Sequence, residues 1–216
     1  LRPPVREDAS LWRGSYFDNE ILAGNAALAT ALMRAAGLDD ELVVRAFRDF
    51  EPLPHRMNLV VEHGGVRFID DSKATSLAAL AAGVKMASSG NRTIRLIAGG
   101  LPKGDDPETV GELLTDCVKK VYLIGQSAEA FATAWSKSTD CEICGTMECA
   151  VAAAKREAEK GDTVLLSPGT ASFDQFKSFG ERGEAFAELV KKQGKKNNEQ
   201  AWCRARCRGG GDHRRL

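Results

Sequence analysis

The chain has 216 residues, 43% hydrophobic and 28% charged, and its 30 basic and 30 acidic side chains cancel. That balance removes any general electrostatic argument for nucleic acid; no apolar run approaches the roughly 20 residues of a membrane span, and no charged-then-apolar leader signals secretion. The expectation is a soluble, cytoplasmic protein of one domain or one domain plus part of another, with a start upstream, since residue 1 is Leu1 rather than Met.

In chain order, residues 1–20 are polar, with Pro3-Pro4 and Trp12-Arg13-Gly14-Ser15, and read as a loop or short hairpin. An Ala-rich helix follows from Ala23 to Ala36 and is stopped by Gly37. Asp39 or Asp40 caps a second helix carrying Leu42, Val43, Ala46, Phe47 and Phe50, and Pro52 and Pro54 then mark a boundary. Residues 59–62 and 66–69 flank His63-Gly64-Gly65 as a β-hairpin. Beyond it short apolar strands (66–69, 93–98, 121–124 and 163–166) alternate with helices at 77–88, 107–119, 127–137, 147–160 and 174–192, with a short strand near 141–143. This is the pattern of a Rossmann-like α/β fold, a mostly parallel sheet with helices on both faces. The segment 194–216 changes character: seven basic residues against two acids, three consecutive glycines and no apolar period predict a disordered tail, read as non-native.

Six cysteines without an export signal read as reduced thiols. Cys141-x-x-Cys144 and Cys203-x-x-x-Cys207, with His213 nearby, permit a zinc site, but the spacings fit loosely, and no metal ligand is assigned.

The residues that organise the chain are Asp70-Asp71-Ser72-Lys73-Ala74-Thr75-Ser76, a polar cluster between a strand and a helix. A polar turn with Ser76 as helix cap would account for part of it. Three later loops, Gly99–Lys103, Gly125–Ser127 and Ser167–Ser172, fall at the same edge of the predicted sheet, where open parallel sheets bind ligands. Their glycines allow close backbone approach, and Lys73 and Lys103 supply charge for phosphate or carboxylate. Together they point to an anionic small molecule. His55 reads equally as a strand-end polar group, and Glu181-Arg182 as a surface ion pair worth little.

Five segments carry a resemblance: Leu53-Pro54-His55-Arg56-Met57, Phe68-Ile69-Asp70-Asp71-Ser72-Lys73-Ala74-Thr75, Ala98-Gly99-Gly100 with Lys103-Gly104, Leu165-Leu166-Ser167-Pro168 with Ala171-Ser172-Phe173-Asp174 and Phe176, and Phe179 with Glu181-Arg182-Gly183. In this order and at these intervals, from about Asn25 to Lys192, the chain resembles the Mur ligase family, specifically the branch that adds D-glutamate to UDP-N-acetylmuramoyl-L-alanine. The resemblance implies an ATP- and Mg²⁺-dependent amide ligase of peptidoglycan synthesis, acting through an acyl phosphate as a monomer on small-molecule substrates. It implies that residues 1–53 end a central ATP-binding domain, that 54–193 form the C-terminal amino-acid-binding domain, and that the Mg²⁺ ligands lie elsewhere. By the same resemblance Asn25 meets the adenine, Arg56 and Lys73 the ATP phosphates as catalytic groups, and Asp71 the ribose. Thr75 and Lys103 receive the α-carboxylate of D-glutamate, and Ser172 and the Phe179 backbone its side-chain carboxylate.

The chain departs from the family pattern at Leu22 and Ser76, where the family commonly has Asn, and it contains no G-x-x-x-x-G-K-[ST] loop. A fragment inactive by itself is therefore expected. The alternatives are a non-catalytic nucleotide- or acid-binding module and a related ligase, such as a folylpolyglutamate synthase, with another amino acid.

Overall fold

The computed structural model describes residues 6–19, 21–88 and 90–192. The predicted tail, with Cys203, Cys207 and His213, lies outside the described residues. The chain divides between Leu53 and Pro54 into two compact units.

In the first unit a 3-10 turn, Arg6–Trp12, replaces the expected loop or hairpin, and helices α1 (Ala23–Ala35) and α2 (Asp40–Arg48) follow. Leu22 gives α1 no side-chain cap; instead Asn19 Oδ1, three residues earlier, accepts the Leu22 N–H at 2.9 Å. At the other end Gly37 takes φ 85°, which lets Gly37 N–H bond Arg34 O and Leu38 N–H bond Met33 O, satisfying carbonyls that the helix leaves open. Asp39 caps α2 through Leu42 N–H. A small core of Trp12, Ala26, Ala27, Val43 and Phe47 holds these pieces, with Trp12 edge-on to Phe47.

The second unit is the α/β body. Its six strands, β1 (Asn58–His63), β2 (Val66–Asp70), β3 (Ile94–Gly99), β4 (Val118–Ile124), β5 (Asp140–Gly145) and β6 (Thr163–Leu166), lie in the order β1-β2-β6-β3-β4-β5. Only β1 is antiparallel to its neighbour, across the hairpin; every other pairing is parallel. Successive side chains of a strand face opposite ways. Ile69, Leu96, Val121 and Leu165 therefore pack on helices α3 (Leu77–Ala87), α4 (Gly111–Cys117) and α5 (Ala128–Trp135). Phe68, Ile97, Tyr122, Val164 and Leu166 pack on α6 (Met147–Glu157) and α7 (Phe179–Lys191). Each fully buried aliphatic or aromatic side chain contributes about 1.5–3 kcal/mol. The central strands β3 and β6 are buried at every residue, as a sheet covered on both faces requires.

Two boundaries differ most from those the sequence predicts, while the helices expected over 127–137 and 147–160 end slightly early, at Trp135 and Glu157. The helix expected over 107–119 is a 3-10 turn, Pro107–Val110, followed by the short α4, because Val118 to Lys120 pair with β3 and become strand. The helix expected from 174 starts only at Phe179. Asp174 and Gln175 are held out of it by distant partners, Gln126 N–H and Gly145 O, and Ser178 then caps α7 through Glu181 N–H. Among the described residues no helix is long and apolar enough to cross a membrane, and no three His, Cys, Asp or Glu side chains gather as a metal site.

Candidate functional site

Because β2, β6, β3 and β4 are parallel and adjacent, the loops that follow them share one edge of the sheet. Backbone hydrogen bonds stitch these loops together. Leu101 N–H bonds Ala171 O, Ser127 N–H bonds Gly100 O, Gly99 N–H bonds Pro168 O and Gly169 N–H bonds Ala74 O. The close approach requires glycine at position 100, where φ is 140° and a Cβ would collide with Ala171 O and Thr170 Oγ1. Ser127 Oγ receives the Gly100 N–H at 3.1 Å.

The candidate D-glutamate groups sit on this framework. Thr75 follows Ala74 in the β2 loop and is half-buried; Lys103, two residues past the Leu101–Ala171 bridge, is exposed. Ser172 is buried, and its carbonyl anchors Gln175 and Phe176 N–H. Phe179 is the first residue of α7, where backbone N–H groups point outward and favour an anion. Among the described residues neither the Thr75 and Ser172 hydroxyls, nor the Lys103 ammonium, nor the Phe179 N–H has a hydrogen-bond partner. Four donors on loops bound to one another are thus unspent.

Lys73 is half-buried, and its Nζ lies 3.9 Å from the centre of the Phe179 ring, a cation–π contact that brings the candidate phosphate and amino-acid groups side by side. The exposed Arg56 donates its backbone N–H to Asn58 Oδ1 and leaves its guanidinium unpaired among the described residues. Asn25 belongs to the first unit, exposed on the first turn of α1.

Asp71 is placed differently from an exposed ligand group. It is 7% exposed; Ser167 Oγ donates to Oδ2 at 2.9 Å and Met57 N–H to Oδ1 at 3.3 Å. Burial pushes its carboxyl up to about 7, helped by the neighbouring Asp70 and opposed by those two hydrogen bonds and by Arg56. Asp70 turns the other way, accepting from Ser72 N–H at 2.9 Å and lying 2.7 Å from His55 Nδ1. His55 and Met57 both have positive φ, uncommon for residues with side chains, and such strain is concentrated at functional sites. Gly183 is required beside them, since a Cβ there would collide with His55 Nδ1 and Asp70 Oδ2.

The arrangement offers loop N–H groups, hydroxyls and uncompensated ammonium groups, donors of the kind that an anion accepts. Comparison with known proteins shows the family. The profile of the Mur ligase glutamate ligase domain matches residues 55–170. The chain belongs to the Mur ligase family. It is 46% identical over 167 residues to the UDP-N-acetylmuramoylalanine–D-glutamate ligase of Cereibacter sphaeroides (strain ATCC 17025 / ATH 2.4.3), covering 77% of this chain and 35% of that protein. To the same-named ligase of Roseobacter denitrificans it is 43% identical, covering 78% and 35%. The chain therefore spans about a third of the length of these relatives. Among solved structures the fold is similar to the UDP-N-acetylmuramate-alanine ligase of Thermotoga maritima (TM-score 0.58, 17% identity, 78% of this chain and 37% of that one). It is also similar to the bifunctional folylpolyglutamate synthase/dihydrofolate synthase of Yersinia pestis CO92 (TM-score 0.57, 24% identity, 78% and 39%).

The Mur ligase motifs include Arg182 but give it no role, and the sequence reading leaves it on the surface. It is no surface ion pair: the side chain is fully buried, among the described residues its guanidinium bonds only oxygens of Ser72, Thr170 and Ala171, and Glu181 instead receives Lys177 N–H. A buried arginine costs too much to occur without a purpose, but nothing adjacent in sequence announces that it is buried.

Proposed function

We propose that this chain is the amino-acid-binding portion of an ATP-dependent ligase joining D-glutamate to UDP-N-acetylmuramoyl-L-alanine in peptidoglycan precursor synthesis. The observation that carries the reading is the set of four unspent donors on the Thr75, Lys103, Ser172 and Phe179 loops. A dicarboxylate amino acid needs donors at both ends, and these supply two pairs. Thr75 and Lys103 take the α-carboxylate; Ser172 Oγ and Phe179 N–H take the side-chain carboxylate. The relatives that share this domain at 41–46% identity carry the corresponding name.

Lys73 and Arg56 then face the phosphates of ATP, Asn25 its adenine, and Asp71 its ribose once the long hydrogen bond from Met57 N–H is given up. What these residues contribute is placement and charge neutralisation, from which most of the catalysis of phosphoryl transfer comes. Mg²⁺ would add charge neutralisation at the phosphates, with ligands drawn from other parts of the ligase. The chain alone is expected to release no phosphate with ATP, Mg²⁺ and both substrates, since it lacks a phosphate-binding loop of the Walker type.

The test uses a complete ligase carrying this domain. One charged hydrogen bond is worth about 1.5–3 kcal/mol, so Lys103→Ala should raise the KM for D-glutamate by roughly ten- to a hundredfold and leave that for ATP nearly unchanged. Asp71→Ala should do the reverse. Unchanged constants in both variants would overturn the site. Competition by L-glutamate as strong as that by D-glutamate would shift the assignment to another amino-acid ligase.

A further inference from the structure

The ligase reading assigns no task to Arg182, yet its guanidinium holds the candidate site together. Four donor–acceptor contacts leave it: Nε to Ser72 Oγ at 3.0 Å, Nη2 to Ser72 O at 2.9 Å and Thr170 O at 3.2 Å, and Nη1 to Ala171 O at 3.2 Å. Ser72 Oγ, having accepted from Arg182, donates onward to Phe179 O at 2.7 Å. Ala171 O also receives Leu101 N–H at 2.9 Å. One side chain therefore fixes the β2 loop, the β6 loop and the first turn of α7, and through Leu101 the loop that bears Lys103.

A purely stabilising arginine would be expected on a carboxylate, since an unpaired buried cation is costly. None lies within ion-pair distance among the described residues, and burial pulls the guanidinium down to about 10, with Asp174 and Asp70 resisting only from farther off. The positive charge is left uncancelled directly behind Ala171-Ser172 and the start of α7, the two places where the side-chain carboxylate of the amino acid is to be received.

We infer that Arg182, relayed by Ser72, is the positioning residue of the side-chain-carboxylate half of the D-glutamate site. It ties the segments that bear the Ser172 hydroxyl and the Phe179 N–H to one another, and it biases that spot toward an anion. The inference rests on the ligase reading and deepens it. Arg182 touches no substrate. It acts through the carbonyls of Thr170 and Ala171 and through the Ser72 hydroxyl, and it sets the reach of the pocket, hence the preference for glutamate over an amino acid one methylene shorter.

The test titrates D-glutamate and D-aspartate into the full 216-residue chain, labelled with ¹⁵N, and follows the amides around Ser172 and Phe179. Arg182→Lys keeps a charge but cannot reach all four acceptors; Ser72→Ala keeps the arginine but cuts the relay to Phe179 O. Each should weaken D-glutamate binding about three- to tenfold and narrow the D-glutamate to D-aspartate ratio, a change that simple loss of stability does not produce. Without any ligand, Ser72→Ala should speed hydrogen exchange of the Glu181 and Arg182 amides while those of Leu96 and Leu165 keep their protection. If the variants keep both wild-type selectivity and wild-type exchange, the inference falls and the ligase reading stands. If the wild-type chain shows no D-glutamate response at Ser172 and Phe179, the ligase reading fails at this site and takes the inference with it.

Discussion

The two ends of the sheet treat charge in opposite ways. At the N-terminal ends of the strands Arg95 reaches Asp162 at 2.7 Å, Lys119 bonds Asp162 from the other side, and Lys120 lies 2.7 Å from Glu142 and 3.0 Å from Glu157. Each of these three cations has a carboxylate. At the C-terminal ends Arg56, Lys73, Lys103 and Arg182 form no ion pair among the described residues. Two buried aspartates show the consequence. Asp162 and Asp71 both suffer desolvation, but the hydrogen bonds from Lys119 and Arg95 pull Asp162 below its ordinary value, whereas Asp71, offered only a hydroxyl and an amide, is raised to about 7. One end is satisfied internally; the other leaves cations without a carboxylate among the described residues.

The sharpest way to break the first end is Asp162→Ala, which leaves Arg95 only a 3.7 Å carboxylate contact with Glu157 and Lys119 only a 3.4 Å contact with the exposed Glu159. Removing one partner of a buried ion pair costs about 3–5 kcal/mol, so the thermal transition should drop by many degrees in a melt followed by circular dichroism. Lys103→Ala at the other end should leave that transition within about 0.5 kcal/mol of wild type, since nothing in the domain depends on it.

The pH dependence separates the ends next. A carboxyl whose folded pKa is raised contributes stability that is complete below its unfolded value, near 4, and lost as pH rises through about 7. Asp162, being lowered, contributes stability present above its unfolded value and lost as the pH falls through its folded one. Asp71→Asn keeps acceptor and donor positions for Met57 and Ser167, and should therefore flatten the loss between pH 4 and 7. A gain of about 2 kcal/mol in urea unfolding at pH 8 is expected; an unchanged slope would mean Asp71 is solvated.

The smallest gain concerns Thr170, whose buried Oγ1 has no hydrogen-bond partner among the described residues. Thr170→Val retains the branched shape and removes the orphan hydroxyl, so the domain should gain about 1 kcal/mol, read as a higher midpoint in urea.

What the sequence alone determined was local. Asp39 and Ser76 cap helices through N–H groups three residues on, Gly64-Gly65 turn the hairpin with φ 62° and 76°, and the unbroken apolar runs of β3 and β6 mark strands covered on both faces. Each signal involves neighbours a few residues apart, so composition and period suffice. The parallel alternation likewise brought the four loops to one edge. Tertiary structure decided the rest. Arg182 meets Ser72 across 110 residues and Asp71 meets Ser167 across 96, so neither the burial of the arginine nor the inward turn of the aspartate is written in either neighbourhood. The same holds for Asp174 and Gln175, good enough helix residues that remain outside α7 because Gln126 and Gly145 compete for their side chains. Helix, strand and cap follow from short-range geometry; which polar groups are spent inside the fold, and which are left over for a ligand, depends on partners that only the folded chain brings within reach.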